Sequence, residues 1–315
     1  MNILYVDDGG TISDTYMYKY YGDLFRELKE LANVYVLQGK PDSWDRLISK
    51  SGVSFDAIIF GLGYFAQRNP LYFEEMKELK NIKPVTVAMF HKPQNDFKEK
   101  IDFCNKNNID IFLDYFDNGK HITSGKVVKS WFTATPKYFH PRPIPVKYDI
   151  GFQGALHGKG KVKGPAQDIR SRIGDLLNKS NKYNAYWKST HDLSYRTYST
   201  EEYASKMNEC KVWLSTTGEG NNGGPRYFEI ALSKTLLFCN DMPLVNSDIF
   251  VDGKTCVIFK NDLSDFEEKL NFYLTNEEER NKIIDNAFNL ESNKYTWKHM
   301  AENLLSEIRN NKDLK

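Results

Sequence analysis

Short apolar runs alternate with amphipathic stretches through the first 115 residues, and that rhythm leaves few folds open. "ILYV" at 3–6 reads as a strand, followed by a helical stripe of Met17, Tyr21, Leu24, Leu28 and Leu31 at steps of three and four. "NVYVL" (33–37) and "FDAIIFGLG" (55–63) read as strands, and "LYFEEMKELKN" (71–81) as a helix. Strand "PVTVAMF" (84–90), helix "DFKEKIDFCNKN" (96–107) and strand "IDIFLDY" (109–115) complete the series. Strands that are apolar at nearly every position, separated by helices, belong to a parallel sheet covered on both faces.

The alternation then stops. "TPKYFHPRPIPVKYD" (135–149) holds Pro136, Pro141, Pro143 and Pro145, too many prolines for regular structure and suited to a linker. Strand "KYDIGFQG" (147–154) restarts the pattern, and Pro165 stands where a helix would begin. "YNAYW" (183–187), "KVWLSTT" (211–217) and "TLLFC" (235–239) read as strands. "STEEYASKMNEC" (199–210) reads as a helix opened by a capping box of Ser199 and Glu202. Helices at 223–233, 265–275, 277–290 and 295–308 follow. The expectation is two α/β domains, 1–140 and 146–292, with parallel sheets facing across a cleft, and a C-terminal helix within 293–315 that packs back on the first domain. Ligands of such sheets bind beyond the carboxyl ends of the strands.

Charge narrows the partners. Lys plus Arg is 43 and Asp plus Glu 42, so no global field concentrates nucleic acid or an anionic membrane, and nucleic acid is disfavoured as a partner. Cys104, Cys210, Cys239 and Cys256 are scattered, which argues against a zinc site and for reduced thiols in a cytoplasmic protein. No apolar run reaches the ~18–20 residues of a membrane helix, and Met1 leads straight into a strand with no signal-peptide pattern.

Two loops carry candidate chemistry. "ILYVDDGGTISD" (3–14) resembles the D-x-D-G-T nucleophile loop of HAD-type phosphatases, but the residue two after Asp7 is Gly9, and two after Asp8 is Gly10. The acid/base aspartate is missing from either reading, and a glycine turn leading into a helix capped by Ser13 or Asp14 explains the same letters. The phosphatase alternative predicts magnesium-dependent phosphate release that needs Asp7. "STTGEGNNGGPRYFEIALSKTLLFC" (215–239) says more. A strand ends in Thr216, Thr217 and Gly218, and a glycine-rich loop with Gly224 opens a helix near Pro225. Helix N-termini attract phosphate. Arg226 and Glu229, three apart, would share a helix face, where they either hold a diphosphate and ribose hydroxyls or form a plain surface ion pair.

This second half resembles the carboxyl-terminal donor domain of GT-B glycosyltransferases of the group 1 and spore-maturation types. "YDIGFQGAL", "RYFEIA" (226–231), "IFVDGKTCVIF" (249–259), "DLSDFEEKLNFYLTNEEERNKI" (262–283) and "YTW" (295–297) carry the resemblance in order and spacing. It implies transfer of a sugar from a UDP- or GDP-sugar to a saccharide or polymer acceptor, with no obligatory metal and no cofactor beyond the donor. In its terms Glu229 holds the donor ribose, Arg226 precedes it, and Gly154, Lys163, Arg172, Thr216, Thr217, Gly218, Gly224 and Tyr227 line the nucleotide. The basic stretch "HGKGKVKGPAQDIRSR" (157–172) adds Lys159, Lys161 and Arg170, which are either phosphate contacts or part of a merely solvated loop. His91, closing "VAMF", Glu219 and Asp8 are the catalytic candidates, with Asp7 a further candidate base. Glu219 and Glu229 stand ten apart where retaining members of the family show eight, and Lys234 takes the place of their usual glycine, so the expected retaining outcome rests on an imperfect match. A non-catalytic two-lobed receptor and a nucleotide-sugar epimerase remain as rival readings, separated by donor hydrolysis and by acceptor-free sugar conversion.

Overall fold

The computed structural model describes residues 1–7, 22–39, 41–66, 76, 82–90, 96–115, 117–156, 165–189, 199–217, 223–241 and 247–312. In chain order its elements are β1 (Asn2–Asp7), α1 (Asp23–Leu31), β2 (Asn33–Gln38), α2 (Trp44–Lys50), β3 (Ala57–Phe60), β4 (Val85–Met89), α3 (Phe97–Lys106), β5 (Ile111–Asp114) and β6 (Lys126–Lys129). Then come β7 (Tyr148–Gly154), α4 (Pro165–Ser180), β8 (Ala185–Ser189), α5 (Thr200–Asn208), β9 (Cys210–Ser215), α6 (Arg226–Leu232), β10 (Leu236–Asn240), β11 (Val257–Phe259), α7 (Phe266–Thr275), α8 (Glu277–Lys294) and α9 (Trp297–Lys312). The chain divides into two compact units, Met1–Trp131 with Trp297–Lys315, and Phe132–Thr296.

The first unit is built on a parallel sheet of order β2-β1-β3-β4-β5-β6. β3, β4 and β5 are buried at every position, as the near-continuous apolar runs require. One face holds an aromatic cluster in which Phe60, Phe65 and Phe103 meet edge to face at 5.3–5.5 Å. α9 belongs to this unit and buries Trp297, Met300, Leu304, Leu305 and Ile308. Its polar side is tied down by Lys126 to Glu307 at 2.5 Å and by Lys312 to Asp56. α2 and β6 have no counterpart in the sequence reading. β6 is four residues long at the sheet edge and mostly exposed, so it lacks the apolar run that marks the other strands. The expected helical stripe through Met17 and Tyr21, and the helix at 71–81 apart from Met76, lie outside the described residues. Met76 itself is buried, and its sulfur accepts the Trp44 indole N–H at 2.8 Å.

The second unit has a parallel sheet of order β11-β10-β9-β7-β8. α4 starts at Pro165 and puts Ile169, Ile173 and Leu177 into the core with Phe152, Leu214, Phe238 and Phe266. α5 opens with the expected capping box, Ser199 Oγ accepting from Glu202 N–H and the Glu202 carboxylate from Ser199 N–H. The proline-bearing segment is held to this unit by hydrogen bonds. Arg142 N–H donates to the Asn208 side chain at 2.8 Å, and Lys147 N–H to the Glu209 carbonyl at 2.8 Å.

Lys234 closes the turn after α6 with φ +53°, a left-handed conformation that suits glycine. Lys234→Gly should therefore stabilise the fold by about 0.5 kcal/mol in denaturant titration. The relief of about 1 kcal/mol is partly offset by a freer unfolded chain and by loss of the exposed pair with Asp285.

Candidate nucleotide site

In the second sheet β8 lies on one side of β7 and β9 on the other, so the strand order reverses between the carboxyl ends of β7 and β9. That is where ligands of open parallel sheets bind. The groups there are Gly154, which closes β7, Ala155 after it, and Thr216 and Thr217 after β9.

Arg170 bridges them. It is 7% exposed, and its guanidinium donates to Thr216 Oγ1 at 2.6 Å, to the Thr216 carbonyl at 3.4 Å and to the Ala155 carbonyl at 3.1 Å. Its plane lies over the Phe152 ring, 5.7 Å from the centroid. All three acceptors are neutral, and no carboxylate among the described residues pairs with it. Burial, and then the like charge of Arg226, hold its pKa down to about 10. Arg226 leads α6, and its Nε donates to the Tyr203 hydroxyl at 3.1 Å. A Cβ built on Gly154 would lie 3.4 Å from the Arg226 guanidinium and 2.9 Å from the Phe152 ring, so a side chain there would press on both. Two cations thus converge on one strand-order reversal, the arrangement expected of a site for a multiply charged anion.

Asn240, at the end of β10, fixes the neighbouring loop. Its Oδ1 accepts from Thr217 N–H at 2.9 Å, and its Nδ2 donates to Thr217 Oγ1 at 3.3 Å and to Asn261 Oδ1 at 3.1 Å. Asn261 in turn donates to Asp241 at 3.2 Å.

The structure brings Gly154, Thr216, Thr217 and Arg226 to this point; Glu229 follows on α6, 4% exposed. Gly224 precedes α6 with open space where a Cβ would stand. The Tyr227 N–H turns back to the Gly224 carbonyl at 3.3 Å, so the guanidinium groups offer an anion more than this short helix end does. Tyr227 points into the core, its ring 5.5 Å from Phe250 and its hydroxyl buried with no hydrogen-bond partner among the described residues. Arg172 does not share Arg170's partners; it donates to the carbonyls of Asn261 at 3.2 Å and Asp262 at 2.7 Å. Sequence reasoning named both arginines of the basic stretch and favoured the second. The signal that separates them is the stripe 170, 173, 177, which places Arg170 on the buried side of α4 and leaves Arg172 off it. Asn240 gave no such signal. Lys163, Gly218, Glu219, His91 and Asp8 lie outside the described residues, as do Lys159 and Lys161.

The first sheet reverses order between β1 and β3. There Asp7, fully buried, accepts the Gly63 N–H at 3.2 Å, and a Cβ on Gly61 would fall 2.4 Å from its carboxylate. Among the described residues no cluster of three His, Cys, Asp or Glu side chains could hold a metal, and no helix is long and apolar enough to cross a membrane.

Two Rossmann-like α/β units with these parallel sheets define the GT-B glycosyltransferase fold. Solved structures share it over nearly the whole chain, among them the following three. Sucrose-phosphate synthase from Thermosynechococcus elongatus has a TM-score of 0.65 at 9% identity, covering 98% of each chain. Anabaena HepE in complex with UDP-glucose has a TM-score of 0.60 at 10% identity, covering 98% of this chain and 100% of that one. A glycosyltransferase from Rickettsia africae has a TM-score of 0.59 at 13% identity, covering 98% of each. Residues 151–306 carry a domain of the family described as glycosyl transferase-like, and the chain as a whole has the fold of GT-B glycosyltransferases. No curated protein matches the sequence.

Proposed function

We propose that the protein transfers a sugar from a UDP-sugar to a saccharide or polymer acceptor, without a metal, and that the second unit binds the donor diphosphate between the ends of β7 and β9. The observation that carries this reading is Arg170, a buried cation with neutral acceptors only, repelled by Arg226 at the strand-order reversal. A buried charge of this kind is stabilised by an anion of opposite sign. HepE, of the same fold, is seen with UDP-glucose, which favours uridine over guanosine as the donor base. Glu229, on α6 beside Arg226, would accept the ribose hydroxyls.

Calorimetric titration with UDP and GDP tests the reading. UDP should bind the wild type, and Glu229→Gln should weaken it about tenfold, because an amide accepts one hydroxyl less readily than a carboxylate. Release of UDP from a UDP-sugar in the presence of a chelator should continue. Failure of every nucleotide to bind would overturn the donor assignment, and tight binding without turnover would point to a receptor.

A further inference from the structure

We propose that Asn240 is a positioning residue of the nucleotide site, acting through Thr217; this rests on the donor reading above. The Asn240 carboxamide is 1% exposed and uses both ends at once. Its oxygen receives the Thr217 N–H at 2.9 Å, and its nitrogen gives one hydrogen to Thr217 Oγ1 at 3.3 Å and the other to Asn261 Oδ1 at 3.1 Å. Thr216, the next residue back, is gripped on both its hydroxyl and its carbonyl by Arg170. Residues 216–217 are therefore pinned from two sides, by Arg170 of α4 and by Asn240 at the end of β10. The guanidinium that is to meet the diphosphate takes its orientation from Thr216, and Thr216 takes its place from Thr217 and Asn240.

The chain Asn240–Thr217–Thr216–Arg170 has a direction that only an amide supplies. Thr217 N–H needs an acceptor, and Asn261 Oδ1 needs a donor. An ionised aspartate at 240 keeps the first and loses the second, placing oxygen against oxygen at Asn261, whereas a protonated aspartate presents one O–H that restores the bond to Asn261 and leaves only the longer donation to Thr217 Oγ1 unmade. A role confined to filling space would not respond to that proton.

The test is UDP titration at pH 8 and pH 5.5 on the full chain, each variant compared with the wild type at the same pH so that ionisation of UDP cancels. Asn240→Ala should raise the UDP dissociation constant about tenfold or more at both pH values, from loss of buried hydrogen bonds, and in turnover assays should raise KM with little change in kcat. Asn240→Asp should be weakened similarly at pH 8 and return to within about threefold of the wild type at pH 5.5, burial having raised its carboxyl pKa into that range. Circular dichroism establishes folding, and should the alanine variant not fold, the aspartate variant decides alone. Wild-type affinity in Asn240→Asp at pH 8, or an unrecovered defect at pH 5.5, overturns the positioning role. Absence of UDP binding by the wild type overturns the donor reading instead.

Discussion

Replacing Arg170 by methionine should lower UDP affinity by about a hundredfold or more while the protein stays folded. Truncating one partner of a buried, hydrogen-bonded charge pair costs about 2–5 kcal/mol of binding, or roughly 30-fold to several thousandfold. Methionine fills similar length and still packs on Phe152, so the change is mainly one of charge. Stability should move little. The hydrogen bonds to Thr216 and Ala155 are lost, but so are the desolvation of the guanidinium and its repulsion by Arg226. Arg170→Lys should recover only part of the affinity, because a compact ammonium does not span three acceptors as a planar fork does. The salt dependence of UDP binding should flatten in the methionine variant, since one of two converging cations is gone. Calorimetric titration across a salt series reads all of this. A methionine variant that binds UDP as the wild type does would remove the second unit's cation pair from the function.

Much of this architecture was legible in the letters. Strands β1, β3, β4, β5, β7, β9 and β10 are short apolar runs whose burial on both faces leaves a clear trace. The Ser199–Glu202 box announces its own helix start. β6 was not legible, because an exposed edge strand of four residues bears no apolar pattern. The site was legible by place more than by residue. Glycine-rich strand ends marked where a ligand would sit, and the motif around Arg226 and Glu229 marked the helix beside it. What stayed hidden depends on packing. Arg170 and Arg172 are two residues apart and chemically identical, yet one reaches the carboxyl ends of β7 and β9 and the other holds the loop at 261–262. Asn240 acts through a hydrogen bond to a residue 23 positions away, which no local spacing encodes.

A second large effect is expected at Glu291, away from that site. This carboxyl lies near the end of α8, 1% exposed, with one oxygen lacking any hydrogen-bond partner among the described residues. Burial pushes its pKa well above the ordinary glutamate range, so in the fold it holds its proton to higher pH than in the unfolded chain. In the unfolded chain the same group ionises near pH 4.3. Above that pH the unfolded state sheds a proton that the native state retains, and stability falls as pH rises until the native pKa is passed. The slope reaches at most about 1.4 kcal/mol per pH unit. Glu291→Gln removes the titration and nearly preserves the shape. Its melting temperature should therefore pull progressively ahead of the wild type from pH 5 to pH 8, while below pH 4 the two should differ little. Burial first, and then the charges of Asp248 and Glu291, raise the Tyr295 pKa, so Asp248→Asn provides the control for a neighbouring charge. UDP affinity should be unchanged in Glu291→Gln at pH 8, which separates a stability effect from damage at the strand-order reversal. A melting difference that stays constant between pH 5 and pH 8 would mean the carboxyl reaches a charge partner or water and ionises normally.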